Sequence, residues 1–143
     1  MTRAMLVTVL WRNAGSPKSG SSHFTDVKDG QWYTNAVAWA TKAGIVNGVG
    51  NNRFAPNDPV TREQLATILF RYSKVETSYS SDYLQNYPDG SSVSGYAQEA
   101  MVWALRRGLI NGVLSNNVSY LQPRGTATRG QTATILYRWL YTP

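Results

Sequence analysis

An arginine follows a threonine at the start of three similar stretches of the sequence, at Arg3, Arg62 and Arg129. Each threonine precedes an apolar pattern of helical period, so it is an expected N-cap and the arginine lies in the first turn. The helix dipole favours an acid there rather than a cation. Free backbone N–H groups and a forked guanidinium together suit a carboxylate or phosphate oxygen. Two interpretations are open: an anion-binding site, or arginines that are solvated or paired with a carboxylate such as Asp58 or Asp26.

The helices that carry these arginines form an internal repeat, and a repeat fixes the architecture of a chain. The three copies are 2–12, 61–72 and 128–139. Counted from the threonine, the residues at +4, +7 and +8 share one face and are apolar except for Thr132, as Leu65, Ile68 and Leu69 are. Gln64 and Gln131, three residues after their threonines, complete capping boxes.

A longer repeat surrounds this helix. An aromatic-x-Asp sequence leads into a first helix, an Asn-Gly turn and a proline-bearing loop, and then the Thr-Arg helix follows. We predict one domain over 1–143, built from repeats 1–15 (the second half only), 24–74 and 87–141 and joined by linkers 16–23 and 75–86. Each unit is a helical hairpin that cannot bury its apolar face alone. The predicted fold is therefore all-α and mainly helical, with pseudo-threefold hairpins around a central bundle of the three Thr-Arg helices.

Composition restricts the class of protein and its partners. The chain has 143 residues, a net charge of +6, five tryptophans and nine tyrosines, which is typical of a folded domain that has an acidic partner. There is no cysteine and a single histidine, so we expect no disulfide, no metal site and no cofactor. No window approaches the roughly 20 apolar residues of a membrane span. We reject the N-terminal apolar run as a signal peptide and expect any export signal to lie outside this chain.

An enzyme and a nucleic-acid-binding protein are both disfavoured. Among the acidic residues, only Asp26 and Asp89 occupy matching places in the two complete units, and equivalent acids in a repeat more often serve structure than catalysis. The basic residues are dispersed, and no nucleic-acid-binding motif is present. We therefore expect no catalytic residues.

The repeat resembles the S-layer homology module of bacterial cell-surface proteins. The segments that carry the resemblance are Phe24-x-Asp26-Val27, Trp32, Ala36, 44–48 (Gly-Ile-Val-Asn-Gly), Phe54-x-Pro56 and 60–64 (Val-Thr-Arg-Glu-Gln). The resemblance implies a non-catalytic anchor that holds an exported protein in the wall or S-layer of a Gram-positive-type bacterium. Its implied partner is an acidic secondary cell-wall polysaccharide, often a pyruvylated one, bound in grooves between modules.

The resemblance also implies which residues contact the ligand. The Thr-Arg arginines meet the acidic sugar substituent, and the aromatic-x-Asp lead, the first helix and the Asn-Gly turn supply the other contacts. The implied ligand-binding residues are Arg62, Arg3, Arg129, Asp26, Trp32, Asn47, Gly48, Asp89, Tyr96, Asn111 and Gly112. Arg62 is the preferred contact because its module is intact.

A second hypothesis is a protein-interaction or self-assembly module that lacks glycan binding. The first repeat is incomplete, which should leave apolar helix surface bare and favour self-association. The third copy also departs from the family pattern, because Gly130 and Gln131 follow its arginine without an acid and the loop 113–120 is altered.

Overall fold

The computed structural model describes residues 1–141, which form two compact units, one from Met1 to Val60 and one that begins at Thr61. The helices are α1 (Arg3–Asn13), α2 (Thr34–Lys42), α3 (Arg62–Tyr72), α4 (Gln98–Arg106) and α5 (Arg129–Tyr141). Two short strands, β1 (Val113–Ser115) and β2 (Val118–Tyr120), lie between α4 and α5. Three 3₁₀ turns, Ser81–Asn86, Gly90–Ser92 and Gly95–Ala97, precede α4.

The first unit is a pair of helices with a loop packed against them. Helices α1 and α2 contact each other, and Leu6 and Leu10, four residues apart on α1, are fully buried together with Val37 of α2. Phe54, in the loop that follows α2, is also fully buried. Spacing of three and four residues places the apolar side chains on one helical face, and that face forms the core.

The second unit combines α3, α4, α5 and the two strands. Helix α3 packs on α4, where the Phe70 ring meets the Trp103 ring edge-on with centroids 5.6 Å apart. Helix α5 contacts the C-cap residue of α3, where the Trp139 indole N–H donates to the Ser73 hydroxyl at 2.8 Å. The unit is thus held by aromatic packing as well as by aliphatic burial.

The prediction of an all-α fold is wrong, because the mostly helical chain also contains a two-stranded antiparallel sheet. Val113 pairs with Tyr120 and Ser115 pairs with Val118, so the altered loop is a β-hairpin. At its tip Asn116 and its neighbour have φ angles of 50° and 64°, which suits the tight turns that join twisted strands. Val113, Val118 and Tyr120, which flank this Asn-Asn pair, are residue types that favour strands.

The predicted helix starts are confirmed. Thr61 and Gln64 form a complete capping box at α3, and Thr128 and Gln131 exchange the same two hydrogen bonds at α5. These bonds satisfy amides that a helix start would otherwise leave unpaired. The predicted single domain and its central three-helix bundle join residues of both units and stay predictions.

Candidate functional site

Arg62 is buried in the second unit, with 5% of its surface exposed. Its Nε donates to the carbonyl of Leu121 at 2.9 Å, and its Nη2 donates to the carbonyl of Asn111 at 2.8 Å. These carbonyls lie just beyond the two ends of the β-hairpin. A buried guanidinium needs such acceptors, because an unpaired buried charge is very unfavourable. Arg62 therefore fixes the base of the hairpin to the start of α3, a structural role that the sequence analysis did not foresee.

Arg3 repeats this arrangement in the first unit. Its Nε donates to the carbonyl of Phe54 at 2.9 Å, and its Nη2 donates to the carbonyl of Asn47 at 3.3 Å. The guanidinium also lies over the Phe54 ring, 4.7 Å from its centroid. The partners of Arg3 thus include backbone carbonyls and an aromatic face, which were not among the partners expected from the sequence.

Backbone amides at the first turns of α1 and α3 are also occupied. The Arg3 amide donates to the carbonyl of Asp58, and the amides of Arg62 and Glu63 donate to loop carbonyls, each at 2.9 Å. The start of α5 differs, because the amides of Arg129 and Gly130 have no hydrogen-bond partner within residues 1–141. The Arg129 side chain is exposed. Of the three helix starts, α5 therefore keeps unpaired N–H groups of the kind that bind anions.

Asp26 and Asp89 hold the proline-bearing loops. Both carboxylate oxygens of Asp26 accept loop amides at 2.8 Å, from Phe54 and Ala55, and Arg53 lies 3.6 Å away. Burial alone would raise the pKa of Asp26, but the two amides and the nearby guanidinium outweigh it and lower the pKa below the usual value. Asp89 accepts two consecutive loop amides in the same way, each at 2.9 Å. Each aspartate thus binds backbone amides of the proline-bearing loop in its own unit.

The two Asn-Gly turns contact the arginines through the asparagine carbonyls, whereas the Asn47 and Asn111 residues themselves are exposed. A Cβ at Gly48 would lie 2.7 Å from a loop carbonyl and from the Phe24 ring. A Cβ at Gly112 would overlap the Ser119 hydroxyl. Both glycines are therefore explained by the close approach of the chain to itself.

Trp32 and Tyr96, the predicted aromatic contacts, are both exposed, at 56% and 55%. Trp32 packs edge-on against Tyr33, with ring centroids 4.9 Å apart. The Tyr96 hydroxyl lies 3.5 Å from a carboxylate oxygen of Glu63. Exposed rings that are held in place offer flat apolar faces, which suit the C–H surface of a sugar.

A surface groove of about 470 Å³ lies beside Arg62 in the second unit. We call it the Arg62 groove. Its lining residues are Arg62, Leu109, Ile110, Asn111, Gly130, Gln131, Thr134, Ile135 and Arg138. None of the described residues that line it is acidic. The lining of the groove therefore combines two arginines, polar residues and buried apolar residues.

One amino group of Arg62 has no hydrogen-bond partner among the described residues. Its Nε and Nη2 are hydrogen-bonded, but its Nη1 has no partner in the described chain. Within that part, no fully buried side-chain nitrogen or oxygen lacks a partner, so Nη1 must retain contact with solvent. Burial lowers the pKa of Arg62, and the charge of Asp89 opposes the shift. An arginine remains cationic in proteins, so the site presents a fixed positive charge.

Arg138 is the second arginine that lines the groove, and it is not among the ligand-binding residues predicted from the sequence. Its Nη1 makes one long contact, 3.5 Å, to the Leu109 carbonyl. Gly130, Thr134 and Arg138 follow one another at intervals of four residues, so they share one face of α5. This spacing is visible in the sequence, so it could have indicated that Arg138 lies on the same helical face as Gly130.

The structure brings some of the predicted contacts together and separates others. Arg62 and Asn111 share the groove, whereas Arg3 and Asn47 meet in the first unit. Among the described residues, neither Arg129 nor Tyr96 lines the Arg62 groove. No cluster of three or more potential metal ligands occurs within residues 1–141, and no described helix is long and apolar enough to cross a membrane.

Comparison with known proteins identifies related sequences. A family model described as the S-layer homology domain matches residues 23–66 and 86–133. The chain is 40% identical over 119 residues to the exoglucanase XynX of Acetivibrio thermocellus, covering 82% of this chain and 11% of that protein. It is 30% identical over 138 residues to the surface-layer 125 kDa protein of Lysinibacillus sphaericus, covering 96% of this chain and 12% of that protein. The chain thus spans about a tenth of the length of these relatives.

A solved structure has the same fold. The undecaheme cytochrome from the S-layer of Carboxydothermus ferrireducens matches with a TM-score of 0.54 and 18% sequence identity. The match covers 94% of this chain and 20% of the cytochrome chain.

Proposed function

Because the chain belongs to the S-layer homology domain family and is a cell-surface anchoring module of the wall or S-layer, we propose that it binds an acidic wall polysaccharide in the Arg62 groove. The observation that carries this proposal is the groove itself, which two arginines line and in which no described lining residue is acidic. The module itself is non-catalytic.

The held position of Arg62 suits it to an anionic sugar substituent. Two hydrogen bonds to carbonyls fix the plane of the guanidinium, so little side-chain entropy is lost when a ligand binds Nη1. A hydrogen bond to a charged group contributes roughly 1.5–3 kcal/mol. Arg138 lies in the same groove and can approach the same anion.

The other lining residues suit the uncharged part of a sugar. Gln131 and Asn111 carry amide groups, and the Thr134 hydroxyl donates to the Gly130 carbonyl at 3.0 Å and can still accept a hydrogen bond. The buried aliphatic side chains of Leu109 and Ile110 close the groove. Polar groups around an apolar floor are typical of small-molecule sites.

The decisive variant is Arg138→Ala, because Arg62 also supports the fold. Arg71 holds the corresponding place in the second Thr-Arg helix, so Arg71→Ala is the matched control. Binding is measured by calorimetry with a purified acidic secondary wall polysaccharide and with its carboxyl-reduced form. We expect Arg138→Ala to weaken binding of the acidic form roughly tenfold or more, and Arg71→Ala to leave it unchanged. Equal losses in the two variants would contradict the proposal.

The alternative, protein interaction without glycan binding, is favoured by an exposed strip on α5. Tyr137, Leu140 and Tyr141 are 66%, 50% and 71% exposed. Exposed apolar patches mark contact surfaces when they are large enough. Sedimentation with purified walls separates the two functions: binding that persists after the secondary polymer is removed favours protein interaction.

A further inference from the structure

Gly130 lines the Arg62 groove, and nothing within the described chain requires a glycine there. It lies in the first turn of α5, and its φ angle is not in the left-handed region. A Cβ at this position would meet no atom within 4 Å. Glycine weakens a helix relative to alanine. The residue therefore leaves open space in a groove that two arginines also line, at some cost to the stability of the helix.

The preceding copy of the helix shows what a side chain does at this position. Glu63 follows Arg62 there as Gly130 follows Arg129, and it is 3% exposed. Its carboxylate accepts from the Ser94 amide at 2.9 Å and from the Ser94 hydroxyl at 2.7 Å. A glutamate thus fits the first turn of this helix type, where the dipole also favours it.

We propose that Gly130 determines which ligands the Arg62 groove accepts. Because Gly130 has no side chain, an anionic group of the ligand can approach Arg62 and Arg138 and reach the unpaired Gly130 amide. A carboxylate at this position would occupy that space and repel the anion, because juxtaposed like charges are strongly unfavourable. Gly130 is therefore a specificity-determining residue, and this inference rests on the proposed glycan-binding function.

Three substitutions separate charge from size: Gly130→Glu, Gly130→Gln and Gly130→Ala. Binding is measured by calorimetry at low and at high salt, with a purified acidic secondary wall polysaccharide and with its carboxyl-reduced form. We expect Gly130→Glu to weaken binding of the acidic form roughly tenfold more than Gly130→Gln. High salt should reduce that difference because it screens exposed charges. Gly130→Ala should weaken binding least.

Stability provides an independent readout. Glutamate, glutamine and alanine all favour a helix more than glycine, so each variant should melt at or above the temperature of the wild-type protein. Loss of binding together with retained or raised stability supports the inference, because unfolding would lower both.

Other outcomes contradict it. Equal losses for Gly130→Glu and Gly130→Gln would overturn selection by charge. Unchanged binding in both variants, with Arg138→Ala still weakening it, would overturn the role of Gly130 and leave the proposed groove standing. A wild-type chain that does not bind the acidic polysaccharide would overturn the proposed function and this inference together.

Discussion

Replacing Arg62 by alanine should lower the stability of the second unit, whether or not a ligand is present. The substitution removes hydrogen bonds of 2.9 and 2.8 Å to the Leu121 and Asn111 carbonyls. Each bond to a charged group contributes roughly 1.5–3 kcal/mol. Release of the long side chain offsets up to about 2 kcal/mol of the loss. With the full offset, we expect the free energy of unfolding to fall by about 1–4 kcal/mol.

Urea unfolding followed by tryptophan fluorescence and by circular dichroism measures this loss. Arg138→Ala is the control, because Arg138 makes one long contact of 3.5 Å to the protein. Its stability should change by less than about 1 kcal/mol. Arg62→Lys should fall between the two, since an ammonium on an unforked chain cannot reproduce both bonds. If Arg62→Ala unfolds within about 0.5 kcal/mol of the wild-type protein, the guanidinium does not support the hairpin and our reasoning is refuted.

Three further predictions concern the loops. Asp26→Asn should lower the free energy of unfolding by about 2 kcal/mol at neutral pH. Because the pKa of Asp26 is lowered in the folded protein, this advantage of the wild-type protein should fade below about pH 4, where the carboxylate becomes protonated. Urea unfolding at a series of pH values measures the difference. Gly48→Ala should cost about 1–3 kcal/mol, because the new methyl group meets the Phe24 ring; an unchanged melting temperature would refute the close approach. Glu63→Ala should cost about 2 kcal/mol by leaving the Ser94 amide and hydroxyl without their acceptor, and hydrogen exchange at the Ser94 amide should accelerate.

The sequence predicts what is local or repeated. The capping boxes at Thr61 and Thr128 need only residues three positions apart, so their chemistry is visible in the sequence. The matching places of Asp26 and Asp89 likewise indicated structural acids, and both now hold loop amides. Periodicity and repetition in the sequence predict such caps and loop contacts, because the same local structure recurs in each repeat.

Partners that are distant in sequence were not predictable in the same way. The carbonyls that bind Arg62 lie 59 and 49 residues along the chain, and a backbone carbonyl carries no signature in the sequence. The β-hairpin was missed for a different reason. Its valines and tyrosine around Asn116 were visible in the sequence, but the segment was defined only as a loop, by comparison with the shorter loop of the first complete repeat.

A structural role and a ligand-binding role are compatible in the same buried arginine. The Arg62 guanidinium uses Nε and Nη2 for the protein and leaves Nη1 in contact with solvent, so the bonds that hold the hairpin also fix the position of a charged residue that lines the groove. Mutation of Arg62 therefore tests the structural role through stability, but a loss of binding in the same variant does not by itself identify a ligand contact. Arg138 and Gly130 line the same groove and make little contact with the protein, so substitutions at these two positions change the groove and leave the fold in place.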